Sequence, residues 1–387
     1  MTGDGPRAPG PVAQARAACA ARTWEVARAA FARADEDGEP LSAADLEGWG
    51  LAALLAGDDR QSDAARERAH HAFLAADDRD GASRVAFWLA LTLLMRGEHA
   101  RARGWFERPR SIVGDAGFAA TVWHGYERLN LGMRALAEGQ DTQSRDLLAD
   151  AVAVAREHAD PDLELLARNG HGQALLALGR TAEGMAELDE VMVLATTGTA
   201  GPQAVGQVYC AAILVCRGCL DLGRSAEWTE ALSRWCAGQP GIVHYRGQCA
   251  VHRSEVLQLR GQWAAATDEV TAVLDRCARD PGRRDPARGM AHYQRGELHR
   301  VRGETRAAEE AYRAAAAAGL DPQPGLALLR AAQGRASDAT AALARASAEA
   351  AGDFLRGRLL PAQVEVALAA GDGARARAAS AELAALA

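Results

Sequence analysis

The densest group of reactive side chains in this sequence is a set of cysteines. Cys210, Cys216 and Cys219 fall within ten residues, Cys216-Arg217-Gly218-Cys219 has CxxC spacing, and Cys236 and Cys249 follow. Thiolates at such spacing can hold zinc, which takes four soft ligands in a tetrahedron. Free cysteine is also a small apolar filler between helices. A second CxxC is lacking, which favours the filler reading, and no metal or other cofactor is expected. Seven cysteines, an odd number, accompany an opening stretch, MTGDGPRAPGPVAQ, with no apolar core of a secretory signal. No run nears the roughly 18 apolar residues that span a bilayer. A reduced, cytoplasmic setting is the expectation.

Other chemistry finds little support. The 44 basic residues are all arginine, so the lysine of a Walker loop is missing, and neither HExxH nor GxSxG occurs. Gly170-His171-Gly172 looks like part of a dinucleotide loop, but no strand precedes it and the pattern around it is helical. His70-His71 and His124 read as helix-surface or groove residues, and Asp58-Asp59 and Glu309-Glu310 as solvated faces. No pair of carboxylates shows the contrasting surroundings of acid–base hydrolysis. The net charge is -7 and the arginines are scattered, which argues against direct nucleic-acid binding. No membrane partner is expected.

The elements that must position any site are helices. The chain is 49% hydrophobic with only 5% aromatics, rich in alanine, and poor in the alternation that marks strands. The stretch 291–320, AHYQRGELHRVRGETRAAEEAYRAAAAAGL, reads as two short helices around a turn at Gly303. Gly296 is placed for close approach, Ala308 and Ala315 are small contacts, and Tyr312 is the large knob between them. Such a pair cannot bury its apolar stripe alone. The turn glycine recurs at Gly57, Gly97, Gly139, Gly179, Gly261 and Gly303, at spacings of 40, 42, 40, 82 and 42. The double gap implies a displaced turn near Gly218 to Gly223, and Gly334 and Gly371 supply the last two. The count is about ten units. Met1 to about Gln14, rich in Gly, Pro and Ala, is expected to be a disordered tail, and 15–387 a single repeat body. Pro109 falls inside a second helix and predicts a kink or early end at Arg108.

This arithmetic resembles the tetratricopeptide repeat, with helices about a turn longer than its roughly 34-residue unit. Phrases such as RVAFWLALTLLMRGEHARARGWFER and EHADPDLELLARNGHGQALLALGRTAEGMAELDE resemble the repeat region of large LuxR-type transcriptional regulators of high-GC bacteria. The resemblance implies an all-α, right-handed superhelical solenoid of helix-turn-helix repeats. It also implies a role in transcriptional regulation, although that family's DNA-binding helix-turn-helix does not follow these repeats.

Stacked pairs of this kind curve, and first helices line the concave side. Projected from the close-approach positions, the groove residues are Phe87, Tyr126, Leu129, Met133, Asn169, Gln173, Glu255, Gln258, Tyr293, Glu297 and Arg300, with Tyr209 joining from the irregular repeat. Tyr, Asn, Gln and paired charges suit a protein or peptide segment, or a small polar ligand. The expected function is a non-enzymatic scaffold or sensor. The second reading is an enzyme with its chemistry in the same groove, around Tyr126, Asn169, Glu255, Glu297 and Arg300. An apolar final stretch, LAALA, predicts self-association through the terminal repeats.

Overall fold

Eight glycines set the rhythm of the chain. The computed structural model describes residues 10–219, 221–240, 242, 245–279, 287–350 and 353–386. In it Gly57, Gly97, Gly139, Gly179, Gly261, Gly303, Gly334 and Gly371 all have φ between +72° and +82°. Glycine adopts this left-handed conformation at little cost, so each can end one helix and open the turn to the next.

Among the described residues there are 22 helices and no strand. They follow as ten pairs. The first three are α1 (Pro11–Ala20) and α2 (Trp24–Glu36), α3 (Ala43–Ala56) and α4 (Asp59–Ala75), and α5 (Arg79–Met95) and α6 (His99–Phe106). Two short helices interrupt, α7 (Arg108–Val113) and α8 (Asp115–Phe118). Next come α9 (Val122–Ala137) and α10 (Asp141–Glu157), α11 (Pro161–Ala177) and α12 (Thr181–Thr196), and α13 (Pro202–Gly218) and α14 (Leu222–Ala237). The last four pairs are α15 (Arg246–Leu259) and α16 (Trp263–Arg279), α17 (Ala287–Val301) and α18 (Thr305–Ala317), α19 (Gly325–Ala332) and α20 (Ala336–Glu349), and α21 (Asp353–Ala369) and α22 (Gly373–Leu386).

Local chemistry fixes these starts. Ser42 and Asp45 cap α3 reciprocally: Ser42 Oγ accepts from the Asp45 N–H and the Asp45 carboxylate accepts from the Ser42 N–H. The Asp58 carboxylate accepts from the Gln61 N–H and that of Asp78 from the Gly81 N–H. Asp58 is thus a cap rather than part of a solvated face. Pro11, Pro161 and Pro202 open their helices, where no N–H is needed. Because α1 begins at Pro11, residues 11–14 are helical and not part of the expected tail; residues 1–9 lie outside the described residues. The displaced turn falls where the spacing put it, with the Asp221 carboxylate accepting from the Arg224 N–H at 3.0 Å. Pro109 breaks its helix two residues earlier than expected: α6 ends at Phe106, and Pro109 sits in the first turn of α7, where its missing donor is harmless.

Close approach inside a pair depends on first-helix glycines. A Cβ on Gly50, Gly132 or Gly296 would come within 2.6 Å of Arg66 Cγ, Leu148 Cγ or Tyr312 Cε1, and one on Gly172 within 3.2 Å of Leu188. The knob stands at the same sequence offset in all four pairs. The small second-helix residues Ala102, Ala266, Ala308, Ala315 and Ala339 are buried as well.

The chain divides into two compact units where the sequence suggested one body. The first comprises Met1–Arg128, Ala153–Asp160 and Arg234–Arg246, and the second Leu129–Val152, Pro161–Ser233 and Gly247–Ala387. The first is cored by Phe31, Leu46, Trp49, Phe73 and Val85, and by Leu89, Leu93 and Trp105. His70, expected near the surface, is 1% exposed there, its Nδ1 2.9 Å from the Ala82 carbonyl. Within the second unit, first helices touch one another directly: α11 meets α13, α17 meets α19, and α19 meets α21. Helix α21 also reaches back to α13, so the first helices from α13 to α21 share one inner side. None of the described helices is long and apolar enough to cross a membrane.

Candidate functional site

The groove residues projected from the sequence separate into two groups. Phe87, Tyr126 and Tyr209 are 3%, 6% and 2% exposed, so they are packing residues and not groove walls. In the first unit the Phe87 ring lies 4.3 Å from that of Tyr126, which stacks on Trp123, and the Tyr126 hydroxyl donates to the Asp160 carboxylate at 3.1 Å. Aromatic area is worth most when buried, and this outweighed exposure to a groove. Leu129 is buried, while Met133 is half-buried and fills the space left by Gly170, where a Cβ would sit 2.8 Å from its sulfur. Asn169 is buried with its Oδ1 unbonded, and Gln173 is half-buried. Gly170 and Gly172 lie within α11, as their helical surroundings implied.

The second group converges. Glu255, Gln258, Tyr293, Glu297 and Arg300 are all half-buried on α15 and α17, and each is engaged by a neighbour. Arg217 of α13 reaches across to Glu255 at 2.5 Å, and His252, one helical turn away on the same face, places its Nδ1 3.2 Å from the same oxygen. The Gln294 amide donates to Gln258 Oε1 at 2.7 Å. Arg300 donates to Glu297 at 2.8 Å, while the Tyr312 hydroxyl donates to the other carboxylate oxygen. The Tyr293 hydroxyl accepts the Gly325 N–H at 3.3 Å. Arg358 of α21 lies near enough to act electrostatically on both Glu255 and Tyr293. It has no ion-pair partner among the described residues and its side chain is exposed.

The electrostatics follow from burial and pairing. Burial alone would push the Glu255 carboxyl up, but Arg217 and the His252 hydrogen bond outweigh it and hold the group below the ordinary carboxylate range. Burial, then the Glu297 charge, pushes the Tyr293 hydroxyl well above its usual value, so it stays protonated. Burial would lower the Arg300 guanidinium, but Glu297 raises it beyond its usual value. The strip therefore presents fixed charges, a neutral hydroxyl and side-chain amides. These groups can bind peptide N–H and C=O groups and charged side chains.

Sequence reasoning missed Arg217, His252 and Arg358. Arg217 lay inside the CxxC stretch, where only the cysteines drew attention. His252 was findable as the residue one turn from Glu255. Arg358 lies in the second of the two shortened repeats, whose spacing does not extend the register. The cysteines differ in their surroundings. Cys216 is buried against Met185 and Leu188, Cys219 is exposed, and the Cys210 thiol donates to Gln248 Oε1 at 3.3 Å. Burial pushes the Cys210 and Cys216 thiols up to about 12 and raises Cys219 as well. Among the described residues, no three His, Cys, Asp or Glu side chains come together as a ligand set.

No family model matches the sequence. No curated protein matches it. Solved structures do match. The apo form of RapI aligns over 89% of this chain and 97% of its own at 9% identity, with a TM-score of 0.53. A Rap protein complexed with competence and sporulation factor aligns over 93% and 98% at 8% identity, with a TM-score of 0.50. Nearly identical TPR-like repeats of a putative kinesin light chain from Podospora anserina align over 50% and 93% at 16% identity, with a TM-score of 0.40. The fold is that of the tetratricopeptide-like helical-repeat class.

Proposed function

We propose that this protein is a non-enzymatic scaffold that holds an extended segment of another protein against the strip formed by α13, α15, α17 and α21 of the second unit. The carrying observation is the charge arrangement. Glu255 and Glu297 each have an arginine of their own, while Arg358 sits among the same groups with no ion pair. An acidic group on the bound segment completes the set, and Gln258, Tyr293 and the paired charges contact its backbone. A Rap protein of the same fold is solved in complex with competence and sporulation factor, which supports a binding role for a helical-repeat chain of this kind. The sequence's resemblance to LuxR-type regulators supports reading the binding step as part of transcriptional control.

The test is selection from a library of short linear peptides on the full chain, followed by titration of the selected sequences. Selected peptides carry an acidic residue, and Arg358→Ala weakens them by about tenfold or more. Equal binding by the variant overturns the proposal. So does a failure to select any peptide together with a thermal shift produced by a small metabolite.

A further inference from the structure

Four first helices of the second unit end in the same way. The N–H of Arg180 donates to the Leu175 carbonyl at 2.9 Å, that of Asp221 to Cys216 at 2.8 Å, that of Gln262 to Leu257 at 2.9 Å and that of Glu304 to His299 at 2.9 Å. This closing bond sets α11, α13, α15 and α17 in one register. Seven residues before each donor stand Gln173, Leu214, Glu255 and Glu297, and four before it, on the first two helices, Leu176 and Arg217. Glu255 and Glu297 are each held by an arginine. Leu214, at the same level, is apolar and 40% exposed. Arg217 steps from the later level of α13 to the earlier level of α15 to reach Glu255. The same step from α11, which meets α13 directly, brings Leu176 toward Leu214, and Leu176 is itself packed against Met185, Leu188 and Cys216.

A single exposed leucine is ordinary on a protein surface. Here a second observation accompanies it. One turn before Gln173 on α11, Asn169 is 6% exposed, and its Oδ1 is buried without a hydrogen-bond donor. An unmade bond of that kind is costly to the free protein. The Gln173 side chain also makes no hydrogen bond among the described residues.

We infer, resting on the reading proposed above, that α11 and α13 form a further subsite of the strip, where a large apolar side chain of the bound segment packs on Leu214 and one of its main-chain N–H groups bonds to Asn169 Oδ1. The occupant is that same segment because the spot is continuous with the Arg217–Glu255 pair on α13 and α15. An extended chain carries a row of unpaired N–H groups, so it can supply the donor that Asn169 lacks. The asparagine amide turns easily about its last bond, which brings Oδ1 outward to meet it. Gln173, at the level of Leu214, takes the next main-chain group. The segment therefore needs an apolar residue as well as the acidic one that Arg358 receives.

The test repeats the peptide selection on three full-length proteins, the wild type, Leu214→Gln and Arg358→Ala. Leu214 is exposed and glutamine is a good helix former, so the fold survives the exchange. Peptides selected on the wild type share a large apolar residue at a fixed distance from the acidic one. Its replacement by alanine weakens binding to the wild type at least about tenfold, and to Leu214→Gln by less than about twofold. Equal weakening of both proteins, or no shared apolar residue, overturns the inference and leaves the role of Arg358 standing. Selection of the same acidic peptides by Arg358→Ala overturns the reading of the strip and this subsite with it. The amide contact has its own arm. Esters placed in turn for each amide of a selected peptide remove one N–H at a time. One ester weakens binding to the wild type at least about tenfold and leaves binding to Asn169→Ala within about twofold. A scan with no such position overturns the part assigned to Asn169.

Discussion

A carboxylate can remain charged in a half-buried position only if something holds it there, and two residues show how this chain does so. At Glu255 it is Arg217. At Asp45, 3% exposed, it is first the bidentate hydrogen bond from Arg16, helped by Ser42, and the carboxyl is held down to about 2. A carboxyl lowered on folding adds stability that is present above its ordinary value of 3.8 and is lost as the pH falls toward about 2. Asp45→Asn therefore flattens the pH dependence of the thermal midpoint between those limits. It also lowers the midpoint at neutral pH, by an amount worth about 1 kcal/mol, because the capping box goes with the charge. A variant with the wild-type acid profile contradicts this. At the same scale, the positions of Glu255, Gln258, Tyr293, Glu297 and Arg300 on first helices were legible in the sequence because the turns at Gly261 and Gly303 set the register of their helices; their part in binding is the proposal made above. Phe87, Tyr126 and Tyr209 were misplaced by the same projection. It gives the face of a helix and not the depth at which a large ring finds its packing.

The helices themselves were largely legible, since their boundaries rest on local chemistry: a glycine free to take positive φ at eight of the ten turns, and a small residue where partners touch. Gly296 is the sharpest case. A Cβ there would lie 2.6 Å from Tyr312 Cε1, and Tyr312 is fully buried with its hydroxyl committed to Glu297. Gly296→Ala is predicted to cost about 1–3 kcal/mol by overpacking, read as a lower urea midpoint. Gly117→Ala is the control. That glycine lies in the short helix α8 with its nearest neighbour, Val113 Cγ1, at 4.0 Å, and the change stays within about 0.5 kcal/mol. Equal losses at the two sites contradict the close-approach account. The break after α6 was legible from Pro109. Helix α8 and the burial of Gln239 between α14 and α15 were not, because neither carries the repeat pattern and the partner of the Gln239 side chain, Trp24, is 215 residues away.

At the scale of the whole molecule, repeats whose cores form between neighbours are expected to lose structure by region. The division into two units gives this a readout. Of the eight tryptophans, Trp24, Trp49, Trp88, Trp105, Trp123 and Trp235 belong to the first unit, leaving Trp228 and Trp263 in the second. Tryptophan fluorescence thus reports mainly the first unit, while far-UV circular dichroism reports all the helices. The two probes are predicted to give non-coincident urea transitions. Superimposable curves would mean that the units melt as one. Eight of the ten pairs carry a turn glycine and the double gap gives a ninth; the first pair, α1 and α2, turns through Arg22 at φ 55° instead. The division was not legible, because it depends on which distant surfaces meet, and a periodic pattern is silent on that.

The central claim is that the inner strip of the second unit is the working surface. Site-specific photo-crosslinking of a library-selected peptide tests it most directly, with the photoreactive residue placed at Gln258 on the strip or at exposed Asp268 on the second helix of the same pair. The account predicts a peptide adduct from position 258 and none from position 268. An adduct from 268, or from neither position despite measured binding, would contradict it.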